Sequence, residues 1–167
     1  GRALACVCIL TSCLAGAREQ PALEIHTEGH FEFPFLEVFQ TDEWSPVAPR
    51  EAAYTPRAAA DANFGMSRKT VWVRLTAVNR LSEAEAEGAA SRRWFLDVGS
   101  STLGAVQLHH YVDGELRSSD RAGFLMPFAG RAVPDRHITF PISLGAGSNE
   151  IYLGIRSGAM IILRPSL

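Results

Sequence analysis

The chain has 167 residues and carries 16 Lys and Arg against 18 Asp and Glu, a formal net charge of −2. That length fits one domain with its own hydrophobic core plus some extra chain at one end. No Lys/Arg run or basic stripe interrupts the near-neutral balance, which argues against nucleic acid as a partner.

Residues 3–14 (ALACVCILTSCL) are apolar, follow Arg2, and end in Ala15-Gly16-Ala17 ahead of Arg18-Glu19. A short apolar core before small residues in an A-x-A arrangement is the pattern of a secretory signal peptide, and it is too short to span a bilayer. With a thin basic start and no initiator Met, residues 1–17 read as a signal peptide truncated at its start; the alternative is a buried strand or helix end. Cleavage is expected after Ala17, with Leu10-Thr11-Ser12-Cys13 as a lower-ranked lipoprotein-type site that cuts before Cys13. All three cysteines (Cys6, Cys8, Cys13) lie in this leader. The mature domain is therefore expected to have no disulfide and no Cys metal site.

Residues 21–39 hold short apolar runs, ALEIH and FEFPFLEVF, broken by Gly29 and Pro34. Phe31, Phe33 and Phe35 alternate with Glu32 and Pro34, and a proline within a strand favours an edge. Pro46, Pro49 and Pro56 forbid long regular structure over 40–63, although residues 57–62 suit one helical turn. This stretch reads as a lead-in segment laid across a sheet, with Trp44 and Tyr54 as pins.

The rest of the chain is organised around residues 64–79, FGMSRKTVWVRLTAVN. A tight turn at Gly65 and the polar Ser67, Arg68 and Lys69 precede a strict alternation. Val71, Val73, Leu75 and Ala77 point one way; Trp72, Arg74, Thr76 and Val78 point the other. Faces that swap at every residue define a β-strand, and Asn79 ends it with a residue that favours turns. The first face is aliphatic enough for a core. The second is either another packed layer or the floor of a binding surface.

Residues 81–93 follow as a solvated loop, whose SEAEAEGAAS places Glu at every second position; an exposed loop outweighs a cation site there. Residues 94–98 (WFLDV) form the next strand, closed by Gly99-Ser100-Ser101. Ala105–Val112 alternates again, with Val106, Leu108, His110 and Val112 against Gln107, His109 and Tyr111. Asp113-Gly114 then predicts a two-residue type I′ hairpin, whose central residues need positive φ. Residues 115–118 return, 121–134 are a loop or short strand, and 136–144 are a strand that Pro141 assigns to an edge or a bulge. After a turn over 146–149, residues 150–156 and 159–163 are the last strands. About eight strands spaced by turn signals, with no heptad, long amphipathic helix or repeat, predict an all-β protein: an antiparallel β-sandwich, with a jelly roll as the expected topology.

Several pieces of this sequence resemble the type-2 extracytoplasmic sensor domain of bacterial seven-transmembrane receptors with diverse intracellular signalling modules (7TMR-DISM). They are the Gly65 turn followed by Trp72-x-Arg74, Asn79, Leu96, Val106-x-Leu108-x-x-Tyr111, Gly123 and Phe128, Arg131-x-x-x-x-Arg136-His137-x-x-Phe140-Pro141, and Tyr152-Leu153. The resemblance runs over about residues 39–163. Two positions depart from it: Gly104, where the family often has Asp, and Gly154, where it often has Arg, with Arg156 two places on. The resemblance implies a jelly roll similar to carbohydrate-binding modules over 39–164, with 18–38 as a lead-in strand segment after the leader. It also implies a periplasmic, ligand-sensing ectodomain of an inner-membrane receptor, followed in the full protein by seven membrane helices and a cytoplasmic output module such as a diguanylate cyclase or histidine kinase.

The expected partner is a small molecule of the carbohydrate type, with a second copy of the chain as the other candidate. Sugars present apolar C–H faces and rings of hydroxyls, so their sites combine flat aromatic rings with groups that make bidentate hydrogen bonds. The ligand-binding candidates are Trp72 and Arg74 on one strand face, His109 and Tyr111 on another, and Arg131, Arg136 and His137 from a loop and a strand end. The competing reading buries Trp72 in a core and pairs Arg74 and Arg136 with Asp97 or Asp135. His109 and His110 project to opposite faces of a regular strand, so no metal site is expected from them, and no cofactor is expected. Asp97, Asp120, Asp135 and Glu150 sit in no glycosidase-like or other catalytic motif, so the chain reads as a non-enzyme. A secreted carbohydrate-binding module of a hydrolase and a structural or protein-interaction sandwich are the alternative functions.

Overall fold

The computed structural model describes residues 22–27, 29–81, 94–127, 130, 133 and 135–167. The leader, most of the Glu-rich loop, Phe128 and the predicted site residue Arg131 lie outside the described residues. The strands are β1 (Leu23–Ile25), β2 (Phe35–Thr41), β3 (Thr55–Ala58), β4 (Asn63–Met66), β5 (Thr70–Asn79), β6 (Trp94–Asp97), β7 (Ala105–Val112), β8 (Glu115–Ala122), β9 (Thr139–Ile142), β10 (Gly147–Arg156) and β11 (Met160–Ile162). A 3-10 turn, Ala59–Asp61, falls where one helical turn is expected from the sequence.

The larger layer runs in the order β3-β2-β5-β10-β7-β8. Its pairs are antiparallel, except that β1 lies parallel to the end of β5, with Leu23 opposite Ala77. The β5 alternation is realised as read: Val71, Val73, Leu75 and Ala77 enter the main core beside Ile151, Leu153 and Ile155 of β10 and Val106 and Leu108 of β7. The second layer, built from the β4–β11 and β6–β9 pairs, covers that face with Leu96, Phe140, Ile142 and Ile161. The chain end joins it, because Ser166 bridges to both Glu32 and Asp97. The result is an antiparallel, all-β sandwich.

The three phenylalanines 31, 33 and 35 do not form one edge strand. Phe33 is buried and donates its N–H to Pro165 O in the second layer, whereas Phe35 is exposed and opens β2 in the first. Pro34 is the corner. It lacks an N–H and holds φ fixed, so pairing stops there and the chain crosses between layers. β2 consequently lies between β3 and β5 and is not an edge strand.

The opposite face of the large sheet carries a smaller cluster of Ala48, Trp72, Tyr111 and Tyr152, with Phe39 and Tyr54 packed against it. Ala48 and Tyr54 belong to the segment between β2 and β3. That segment lies as a strap across the outer face of the sheet, as the sequence suggests.

Candidate functional site

Four predicted site residues share this outer face. β10 runs between β5 and β7, so Trp72 and Arg74 on one side and His109 and Tyr111 on the other flank Tyr152 and Gly154. The Trp72 and His109 rings lie 6.0 Å apart, and Tyr111 meets Tyr152 edge-on at 5.7 Å. All four are mostly covered. Trp72 has no exposed surface, and Arg74 is held by Glu37 of β2 through Nε–Oε2 at 2.6 Å and Nη2–Oε1 at 2.8 Å. Arg74's partner is thus Glu37, not Asp97 or Asp135. The Glu37 hydrogen bonds raise the Arg74 pKa further above its ordinary value, and burial raises the Tyr54 phenol stacked on that guanidinium, ring centroid to Cζ 4.9 Å.

The strap is clamped at its other end by Arg50. Its guanidinium lies over the Tyr111 ring at 4.3 Å, donates to Gly114 O at 3.1 Å, and reaches Glu150 Oε2 at 3.2 Å. Glu37, Arg50, Tyr54, Glu150 and Tyr152 are therefore part of the same polar layer, buried at Glu37 and Tyr152 and partly exposed at Arg50 and Glu150. None of the five was singled out in the sequence as a site residue, since Arg50 meets Glu150 and Glu37 meets Arg74 across tens of residues.

Where the strap ends, the outer face opens. Two adjoining recesses of about 380 and 470 Å³ run between the strap and the loop after β8, sharing Arg121 and Met126. The wall on the strap side is Trp44 and Pro46; β7 supplies Gln107 and His109, β8 supplies Ser119 and Arg121, and β10 supplies Arg156. Side-chain alternation explains the set, because Gln107 sits opposite Arg121 and His109 opposite Ser119 on the same face of the β7–β8 pair. Gln107 Nε2 donates to Ser45 O at 2.6 Å, which fixes the amide under the strap. Its Oε1, and Nε2 of His109, are buried with no hydrogen-bond partner among the described residues. Burial lowers the His109 pKa, with the Arg121 charge adding to the effect. Both effects favour the neutral ring.

Arg136 and His137 lie elsewhere. His137 Nδ1 meets Asp97 Oδ2 at 3.0 Å in the second layer, beside a recess of about 530 Å³ lined by His30, Trp94, Phe95, Asp97 and Thr139. Arg136 is exposed on the same turn, its amide donating to Asp135 Oδ1. The predicted residues thus divide between two layers. Gln107, Arg121 and Trp44 were not singled out in the sequence as site residues, and the only signal for Gln107 was its alternation with His109. His109 and His110 do project oppositely: His110 is in contact with Asn149 Oδ1 at 3.0 Å, away from the groove.

The two departures noted in the sequence also lie at this end of the sheet. A Cβ at Gly154 would stand 2.8 Å from Trp72 Cη2 and 2.9 Å from Gln107 Nε2, so no side chain fits there. Gly104 N–H is bound to Ser157 Oγ at 3.2 Å beside the backbone of Arg156.

No curated protein matches the chain. The family model described as 7TMR-DISM extracellular 2 matches residues 23–167, which takes in β1 and the 31–33 segment as well as the region of the sequence resemblance. The chain belongs to that family, the extracytoplasmic sensor domains of 7TMR-DISM membrane receptors.

Proposed function

We propose that the domain senses a carbohydrate-like small molecule, that the groove between Trp44 and Arg121 receives it, and that the domain is not an enzyme. One observation carries this reading: Gln107 and His109 line the groove, and Gln107 Oε1 and His109 Nε2 are buried there without hydrogen-bond partners among the described residues. Buried polar atoms are nearly always satisfied, and an orphan beside a recess points to a ligand or solvent group that completes it. Sugar hydroxyls both donate and accept, so they suit an amide oxygen and a neutral imidazole nitrogen side by side. Trp44, half-exposed and steadied by the Arg156 guanidinium at 5.9 Å, offers a flat ring for a C–H face. Trp72 and Arg74 act in this reading as the buried support of the floor.

Binding here has a route to the rest of the domain, since Gln107 holds Ser45 and Arg156 holds Asp42 of the strap. A ligand that pulls on either group biases the position of the strap, which is the kind of two-arrangement element a receptor output requires. In the full receptor that output passes through the membrane segments to a cytoplasmic module.

The experiment is a thermal-shift screen of the chain against mono- and oligosaccharides, repeated with Trp44→Ala and Gln107→Ala. A ligand selective for the folded state must raise the melting temperature. Stabilisation by a sugar that both variants abolish supports the site. No stabilisation by any sugar favours a protein-interaction sandwich instead.

A further inference from the structure

Building on the groove as the ligand site, we infer that the ligand is an acidic sugar, one bearing a carboxylate, and that Arg121 and Arg156 select it. Three arginines meet carboxylates: Arg50 with Glu150, Arg74 with Glu37, Arg80 with Glu24. Arg121 and Arg156 line one recess, and neither pairs with a carboxylate among the described residues. Arg156 gives Nη2 to the backbone oxygen of Asp42 at 2.6 Å, and a carbonyl leaves its charge uncompensated. Across the strands, the residues opposite are Ala105 for Arg156 and Gln107 for Arg121, so neither position supplies an acid. Among the described residues Asp120 is the one acid lining either recess; its Oδ1 accepts Arg121's own amide N–H at 2.7 Å. Two cations against one acid leave the groove positive.

The rest of the lining says which anion. An inorganic anion without an O–H group, such as sulfate, uses the guanidinium groups alone. It leaves Gln107 Oε1, an acceptor 1% exposed at the residue level, without a donor. It also leaves the Trp44 ring and Met126 facing nothing apolar. A uronate-type sugar satisfies all three sets. Its carboxylate takes paired N–H donors from a guanidinium, a hydroxyl donates to Gln107 Oε1, and its C–H face lies on Trp44. A neutral sugar in the same place would shield the two cations from water without compensating them, which costs binding energy.

The test is calorimetric titration of the chain with a galacturonate oligomer, its neutral galactose counterpart and inorganic phosphate, at low and high salt. The uronate should bind about tenfold or more tighter than the neutral sugar, and its affinity should fall with salt. Arg121→Gln should remove that preference with an unchanged melting temperature, because Arg121 is exposed. Arg117→Gln, an equal loss of charge on β8 outside the groove lining, should leave it intact. Equal affinity for neutral and acidic sugars overturns the acidic preference while the groove stands as a sugar site. Phosphate binding as tightly as the uronate, or equal losses in the Arg121 and Arg117 variants, overturns the inference in favour of a general anion patch. Failure of both sugars overturns this inference and the sugar-binding reading together.

Discussion

Arg74 and Glu37, on neighbouring strands β5 and β2, face each other in register and form two parallel hydrogen bonds beneath the Tyr54 ring. Their side chains are 14% and 9% exposed, so the pair is largely desolvated. Removing one partner strands the other's charge, at a cost of about 3 kcal/mol. Arg74→Ala and Glu37→Ala should each lower the urea midpoint strongly. The double variant should lose clearly less than the sum, because it strands no charge. Additive losses would show that the pair is not coupled.

Trp72 fills the layer between the strap and the sheet, and Gly154 makes room for it. Trp72→Ala should cost about 3–5 kcal/mol of stability, measured by denaturant unfolding. Gly154→Ala should cost about 1–3 kcal/mol, since its methyl group drives into Trp72 and the Gln107 amide. It should also weaken ligand binding, because Gln107 must shift. A Gly154→Ala variant with wild-type stability and affinity would contradict the tight approach of these three residues.

The hairpin between β7 and β8 rests on Asp113 at φ 49° and Gly114 at φ 84°. These are the positive values that the Asp-Gly pair predicts for a type I′ turn. Gly114→Ala should therefore destabilise the domain by about 1 kcal/mol without touching the groove. Calorimetric melting with and without ligand separates the two effects: the melting temperature should drop while the ligand-induced shift stays the same.

His109 and His110 give the domain a pH dependence. Burial lowers the pKa of each in the folded chain below the ordinary 6.5. The unfolded chain then takes up protons at a pH where the folded one does not. The stabilisation these groups contribute is complete above 6.5 and is lost as pH falls through their lowered folded values. Glu24, whose pKa is lowered from 4.5 chiefly by its hydrogen bond to His26, acts only in a more acidic window. The melting temperature should fall as pH drops below about 6.5, and a His109→Gln/His110→Gln double variant should flatten that slope. An unchanged slope in the variant would contradict the buried-histidine origin.

Much of the fold was legible because its signals are local. The alternation over β5 gives the core face residue by residue, the Asp-Gly pair gives the β7–β8 hairpin, and three prolines over 40–63 give the strap with Trp44 and Tyr54. Pro34 misled, because a proline at an edge and a proline at a corner between layers look alike in sequence. β3 and β4 were hidden for a different reason. Each is four residues long, and their place in the sheets is set by partners, Leu36 opposite Arg57 and Ile161 opposite Gly65, that lie far along the chain. The candidate site was half legible. Periodicity put Trp72 with Arg74 and His109 with Tyr111, but nothing local shows that all four are mostly covered and that His109 lines a groove. Arg121 and Gln107 meet through β7–β8 register, and Trp44 arrives from the strap.

The central claim is that the ligand enters on the outer face of the large sheet, where the strap ends. The most direct measurement is a two-dimensional NMR titration of the isotope-labelled chain with a stabilising sugar. The largest shifts should fall on the Trp44 indole N–H, the Gln107 side-chain amide, and the backbone amides of His109, Ser119 and Arg121, with Asp97 and His137 unmoved. Shifts gathered around Trp94, Asp97 and His137 in the second layer would contradict the account.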